Sequence, residues 1–322
     1  MASSSADRAL AHVADRAARD AVVARATIAR LGARHGHDAV DTTGARVTLN
    51  FHPDRLRPDG LSVAEGLLRD GFYRSQFETG VTNASPTAHA GGDRARWEDE
   101  LFGGAYARDE ERPKYGAFNV MAHPDGGSPR FGSCFFELAP AVLSRCTFTW
   151  GDSHLKPEHV GTIACFDSIR AAWLVALETT GTALGGPRGS GPALDDYIEA
   201  QVHGPIGLAD DVAALVVDPS FDRTPTGDRL RALAERHGIA IRSHAGFVLG
   251  ASEVPDDFRG PRMRPLAERI AGDALLDAAL LGTAARSLIE EPDRWREWAT
   301  PAETWQHIKQ LWHVLVRFGR AQ

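Results

Sequence analysis

Apolar positions recur at helical spacing near both ends of the chain and in short, dense runs through its middle. Between Ala6 and Arg34, Leu10, Val13, Val22, Val23, Ile28 and Leu31 stand among charges, a pattern that predicts one or two amphipathic helices. A polar hinge from Gly32 to Thr43 follows. From Arg46 to about Glu253 the runs VTLNF, AFNVM, SCFFEL, CTFTW, AALVV and IAIRS predict strands. The segments SVAEGLLRDG, VGTIACFDSIRAAWLVALET and GDRLRALAERHG between them predict helices. Gly181 to Pro192 is predicted to be a flexible loop. Helical spacing returns from Arg264 to Gln322. There Thr300-Pro301-Ala302-Glu303 forms a capping box, ahead of an apolar stripe of Trp305, Ile308, Leu311, Trp312, Leu315 and Phe318. That stripe is expected to pack into a core or dock on the middle domain. The expected division is a helical segment over 1–40, an α+β domain over 41–255 and a helical segment over 256–322.

With 322 residues, 43% of them hydrophobic and 25% charged, the chain can bury a full core without staples. Its net charge of -7 argues against a general nucleic-acid-binding surface, which needs a basic face. Cys134, Cys146 and Cys165 form no Cys-x-x-Cys pair, so buried free thiols are expected rather than a disulfide framework or thiolate zinc site. No apolar run is long enough to span a bilayer, and the first twenty residues lack an apolar core; a cytoplasmic protein with no membrane partner is the expectation.

Candidate chemistry concentrates between Val47 and Gly116, where aromatic, arginine, hydroxyl and amide groups sit beside glycines, as in the wall of a small-molecule pocket. His52 closes an apolar strand that Pro53 ends, and Tyr73, Arg74, Ser75 and Gln76 return one helix later. Arg74 has a guanidinium fork that suits phosphate oxygens, or it forms an ion pair with Glu78. Tyr106 follows Gly-Gly-Ala and Tyr115 precedes Gly116; the two either sandwich a planar heterocycle or are half-buried strand tyrosines. Glu199 lies inside a strand-like run, pointing either to solvent or into a cleft where it stabilises positive charge. Lys114 is expected to be solvated in a charged loop. A rival set, His52, Asp54, Asp152, His154 and His159, has residue types that suit a divalent ion and phosphoester hydrolysis. A third possibility is a non-catalytic nucleotide-binding module.

The segments FHPDR, YRSQFETG, GGAYA, RPKYGA, SPRFGSCFF, TFTWGDS and EAQVHG, spread over Arg46 to Phe247, resemble the bacterial domain of unknown function 3626. More distantly, the order of His52, a helix ending in Gly, Tyr106, Tyr115 and Glu199 resembles the His-Tyr-Glu branch of the ADP-ribosyltransferase superfamily. That resemblance implies an α+β fold, a split β-sheet core with flanking N- and C-terminal helices, that binds NAD as substrate and needs no metal. It implies cleavage of the nicotinamide–ribose bond and transfer of ADP-ribose to an acceptor or to water. Glu199 would steady the ribosyl cation, His52 the adenosine-side ribose and Tyr115 the nicotinamide, with Tyr106 shaping the pocket. Tyr73, Arg74, Ser75 and Gln76 would complete the NAD site. Tyr197 stands where enzymes that modify arginine tend to carry a second acid, so the acceptor is open: protein, nucleic acid or small molecule.

Overall fold

The computed structural model describes residues 3–36, 40–81, 88–181, 183–184 and 194–322. The strands are β1 (Arg46–Phe51), β2 (Phe72–Tyr73), β3 (Lys114–Asn119), β4 (Cys134–Leu138), β5 (Cys146–Trp150), β6 (Val160–Thr162), β7 (Ile198–Val202), β8 (Ile206–Gly207), β9 (Val212–Val217), β10 (Ala240–Ser243), β11 (Leu249–Gly250) and β12 (Leu275–Leu276). The helices are α1 (Ser5–His35), α2 (Val63–Asp70), α3 (Gln76–Thr79), α4 (Asp93–Phe102), α5 (Asp167–Thr180), α6 (Leu208–Asp211), α7 (Pro225–His237), α8 (Met263–Ala271), α9 (Ala278–Glu290) and α10 (Pro301–Phe318). Eight strands form one sheet in the order β10-β9-β4-β1-β3-β7-β5-β6. The fold is α+β: a large, mostly antiparallel sheet with helices before, within and after it. By compactness the chain divides into two interleaved units, one of residues 1–49, 72–128 and 136–213, the other of 50–71, 129–135 and 214–322.

In the first unit, β3, β7, β5 and β6 pair antiparallel in sequence across the sheet. Side chains alternate between faces along each strand and paired residues share a face, so the register sorts them. Gln201 pairs with Tyr115 on one side and Thr147 on the other; Glu199 pairs with Ala117 and Thr149. Thr48 pairs with Ala117. One face therefore carries Thr48, Tyr115, Thr147, Thr149, Glu199 and Gln201. The other carries Val47, Phe118, Cys146, Phe148, Ala200 and Val202, and Phe118, Phe148 and Phe166 form a ring cluster there with centroids 4.9–5.7 Å apart. The polar face is covered as well. Ala9 and Val13 of α1 pack with Trp97, Leu101 and Phe102 of α4, Tyr106 and Val160, and Tyr115 lies against this cluster. Gly103 ends α4 in the left-handed region at φ 62, and a Cβ there would run into the His12 ring of α1.

In the second unit, the last four residues of β9 pair in parallel with β10, and α7 connects the two strands. α2 starts at the reciprocal Ser62–Glu65 capping box and stops at Gly71, φ 69. α10 starts at the Thr300–Glu303 box and buries Ile308, Leu311, Trp312 and Leu315. The Trp312 Nε1–H donates to the Pro129 carbonyl at 3.0 Å, and its ring meets His52 and Phe247 edge-on.

Three sequence expectations need correction. VGTIACFDSIRAAWLVALET is not one helix: Val160 and Thr162 are β-branched, pair with Thr149 and Thr147, and form β6, while α5 begins only at Asp167. A Cβ on Gly161 would collide with the Cys165 carbonyl, which fixes the tight turn between them. Lys114 is not solvated. It opens β3, only 3% exposed, and its Nζ donates to the Arg112 and Gly204 carbonyls at 3.3 and 3.2 Å. Finally, α1 is continuous to His35, so the hinge expected from Gly32 begins no earlier than the Gly36 cap. Most of the loop predicted over Gly181–Pro192 lies outside the described residues. The three cysteines are free thiols, two of them buried.

Candidate active site

The sequence Ile198-Glu199-Ala200-Gln201-Val202-His203 alternates apolar and polar side chains, and all six residues are buried. β7 lies between β3 and β5 and is covered on both faces, so its polar side chains must find partners inside. They form one continuous chain. Thr147 Oγ1 donates to Gln201 Oε1 at 2.8 Å and lies 2.9 Å from His203 Nε2. Because the threonine proton is directed at Gln201, His203 Nε2 carries the hydrogen, and its Nδ1 accepts from the Tyr106 hydroxyl. Gln201 Nε2 donates to Glu199 Oε1 at 2.9 Å, and Ser153 Oγ donates to the same oxygen. The donors therefore run from Tyr106 through His203, Thr147 and Gln201 and end on Glu199.

Electrostatics follow from burial. Loss of water, with Asp152 nearby, pushes the Glu199 carboxyl up to about 8, against the pull of Ser153, Gln201 and Arg94. Burial first, then Lys114 and Arg145, lowers His203 to about 3, so its ring is neutral. Burial also raises the Tyr106 hydroxyl.

A second cluster shares the face. Tyr115 donates to Glu98 Oε1 at 2.7 Å, and Arg112 Nη1 donates to Glu98 Oε2 at 2.6 Å. Burial raises the Glu98 carboxyl, while these two hydrogen bonds oppose the rise. Arg94 lies over the Tyr115 ring at 4.9 Å and the Trp97 ring at 5.2 Å.

The sequence candidates are distributed as follows. Tyr106, Tyr115 and Glu199 all belong to the first unit. Tyr115 and Glu199 share the polar sheet face, and Tyr106 reaches Glu199 through the donor chain. Protein groups flank both tyrosine rings: Arg94 and Trp97 at Tyr115, His203 and Phe102 at Tyr106. Tyr73 packs edge-on to Phe136, and burial moves its hydroxyl up to about 12. Arg74 is exposed and pairs with Glu78 at 3.1 Å one helical turn on. Ser75 caps α3 through Glu78 and donates to the Asp109 carbonyl. The Gln76 Oε1 is buried with no hydrogen-bond partner. His52 belongs to the second unit, its ring 5.0 Å from Trp312, and burial lowers it to about 3. Of the rival metal set, His52 and Asp54 are in the second unit and Asp152, His154 and His159 in the first. Asp152 caps the turn at Ser153 and pairs with His154. Among the described residues, no group of three or more His, Cys, Asp or Glu side chains gathers as a metal site.

Sequence reasoning missed Gln201, His203, Thr147, Ser153, Glu98 and Arg94. The signal for the first two was present in the strict polar alternation of EAQVH. The charged residues of α4 gave no such signal, because Arg94 and Glu98 read as a solvated face.

The family model described as Protein of unknown function (DUF3626) matches residues 46–190 and 187–318. No curated protein matches the chain.

Proposed function

The chain belongs to the DUF3626 family, and we propose that it cleaves the nicotinamide–ribose bond of NAD and passes ADP-ribose to an acceptor or to water, with Glu199 as the catalytic carboxylate. The observation that carries this reading is the buried polar sheet face on which a chain of donors ends at Glu199, beside Tyr115 on the neighbouring strand. A sheet face that serves packing alone is apolar where it is covered. Breaking a glycosidic bond at ribose builds positive charge on the sugar, and a carboxylate set in a low-dielectric, preorganised frame stabilises that charge. Gln201 and Ser153 hold the carboxyl in one orientation.

The carboxyl has to be ionised to act. With the group raised to about 8, cleavage is expected to increase with pH through that value. The decisive measurement is nicotinamide release from NAD by the parent and by Glu199→Gln. The variant should keep NAD affinity and lose turnover by about 100-fold or more, because the charge acts in the transition state. Unchanged turnover in a folded Glu199→Gln protein would remove this residue from the reaction. A parent that neither binds nor cleaves NAD would end the reading. A second reading, nucleotide binding without turnover, is favoured by the enclosure of Glu199 by Ser153 and Gln201; NAD binding with no nicotinamide release under any acceptor would select it.

A further inference from the structure

Arg94 is a group at this site whose chemistry is left open. It sits in the first turn of α4 and is only 4% exposed, so its guanidinium lies inside the protein. Its Nε is sealed from solvent with no acceptor. Its contacts are the two ring faces, Tyr115 at 4.9 Å and Trp97 at 5.2 Å. The carboxylate that could serve it, Glu98, is taken by Arg112 and Tyr115. Glu199 is bonded by Ser153 and Gln201, so both carboxyls attract Arg94 through space but neither hydrogen-bonds its guanidinium. A guanidinium stays charged at any physiological pH and presents a planar fork of donors. Buried without a hydrogen-bonded acceptor it is costly, and protein interiors supply such cations with oxyanions. Arg74, by contrast, already holds Glu78 at the surface.

We propose that Arg94, not Arg74, is the residue that receives a phosphoryl oxyanion of the ligand, with the Trp97 and Tyr115 rings holding the guanidinium plane in place. The proposal rests on the NAD reading for the choice of phosphoryl over carboxylate; the need for an oxyanion comes from Arg94 itself. Two oxygens of one phosphoryl group would each accept from the fork, and the aromatic flanks fix the direction of approach.

The test is calorimetric titration at constant ionic strength with inorganic pyrophosphate, ADP-ribose and acetate, on the parent, Arg94→Met and Arg94→Lys. Pyrophosphate and ADP-ribose should bind the parent, and Arg94→Met should weaken both by about 10-fold or more. Arg94→Lys should fall between, since it keeps the charge and loses the fork. Arg94→Met keeps the aliphatic stem and removes the buried cation, and a cooperative thermal unfolding transition shows that the variant is folded. Arg74→Met should bind like the parent. Equal pyrophosphate affinity in folded Arg94→Met and parent, or no pyrophosphate binding by the parent, would overturn the proposal. Acetate binding with the same Arg94 dependence and no response to pyrophosphate would overturn the phosphoryl assignment. Pyrophosphate binding that depends on Arg94 in a protein that does not cleave NAD would leave this site standing and sink the cleavage reading alone.

Discussion

Two buried histidines, one in each unit, have opposite surroundings. His203 in the first unit is 0% exposed, and both ring nitrogens are engaged, Nδ1 by Tyr106 and Nε2 by Thr147. His313 on α10 in the second unit is 4% exposed, and neither nitrogen has a hydrogen-bond partner. Burial neutralises both: it lowers His203 to about 3 and His313 to about 2, the latter with Arg130, Arg259, Lys309 and His52 adding to the effect. Burial and a low pKa alone do not distinguish a functional histidine. The satisfied ring is a fixed link in a polar frame, and losing it orphans its partners. The unsatisfied ring fills space and already carries its cost, so an apolar replacement of similar size should be tolerated.

The largest expected effect breaks this comparison if it fails. His203→Ala leaves a cavity in a sealed layer, strands the Tyr106 hydroxyl and removes one of the two partners of Thr147, a loss of about 3–5 kcal/mol. His313→Leu should stay within about 1 kcal/mol of the parent or be stabilising. Urea denaturation of both variants decides it, and a cost for His313→Leu equal to that of His203→Ala would show that the two environments are energetically alike.

The pH dependence of stability sharpens the contrast. His203, His313 and His52 all have folded values far below the ordinary 6.5. The unfolded chain takes up protons that the folded one refuses, so stability is full above 6.5 and falls as pH drops toward 3. Glu199 works the other way. Its folded value is raised from 4.5 to about 8, so its contribution is full below 4.5 and is lost as pH rises toward 8. Each group changes stability by at most about 1.4 kcal/mol per pH unit within its window. Stability should therefore decline on both sides of roughly pH 6.5. Glu199→Gln should flatten the limb between pH 6.5 and 8, and His313→Leu should make the acid limb shallower. An alkaline limb that keeps its slope in Glu199→Gln would show that Glu199 is ionised throughout.

How much of this was legible in the sequence depended on what each residue had to satisfy. CTFTW became β5 and SVAEGLLRDG became α2 because local propensity, cap and terminal glycine all agreed with the final packing. The α10 stripe was read from its spacing and its Thr300–Glu303 box. β6 was lost because three residues next to a long apolar run carry no period of their own. α4 was lost because six of its ten residues are charged, yet Arg94 and Glu98 face inward, one against aromatic rings and the other toward Arg112 and Tyr115. Lys114 misled for the same reason: a lysine reads as solvent until two backbone carbonyls claim its ammonium group. Tyr106, Tyr115 and Glu199 were found from their neighbours in sequence. The donor chain that links Tyr106 to Glu199 runs through Thr147 on another strand, and only the register of β5 on β7 reveals it.

The smaller effects test whether each unit's polar contacts act locally. Tyr115→Phe keeps the ring against Trp97 and removes one of the two donors that hold Glu98, so a loss of about 1.5–3 kcal/mol is expected, typical of a hydrogen bond to a buried charged group. Glu98 should then be protonated more readily, since desolvation already raises it and one opposing bond is gone. Thr300→Ala is the smallest change and belongs to the second unit. The Thr300 side chain accepts from the Glu303 N–H at 3.3 Å, and the Glu303 carboxylate accepts from the Thr300 N–H at 3.1 Å. The box is exposed and water can replace part of it, so the loss should be about 1 kcal/mol. Trp312 lies three turns further along α10, pinned by the Pro129 carbonyl, outside the reach of a local cap. Urea unfolding followed at the tryptophans reads the loss. A loss above about 2 kcal/mol would mean that the start of α10 is coupled to the packing around Trp312 and His52 rather than being a local cap.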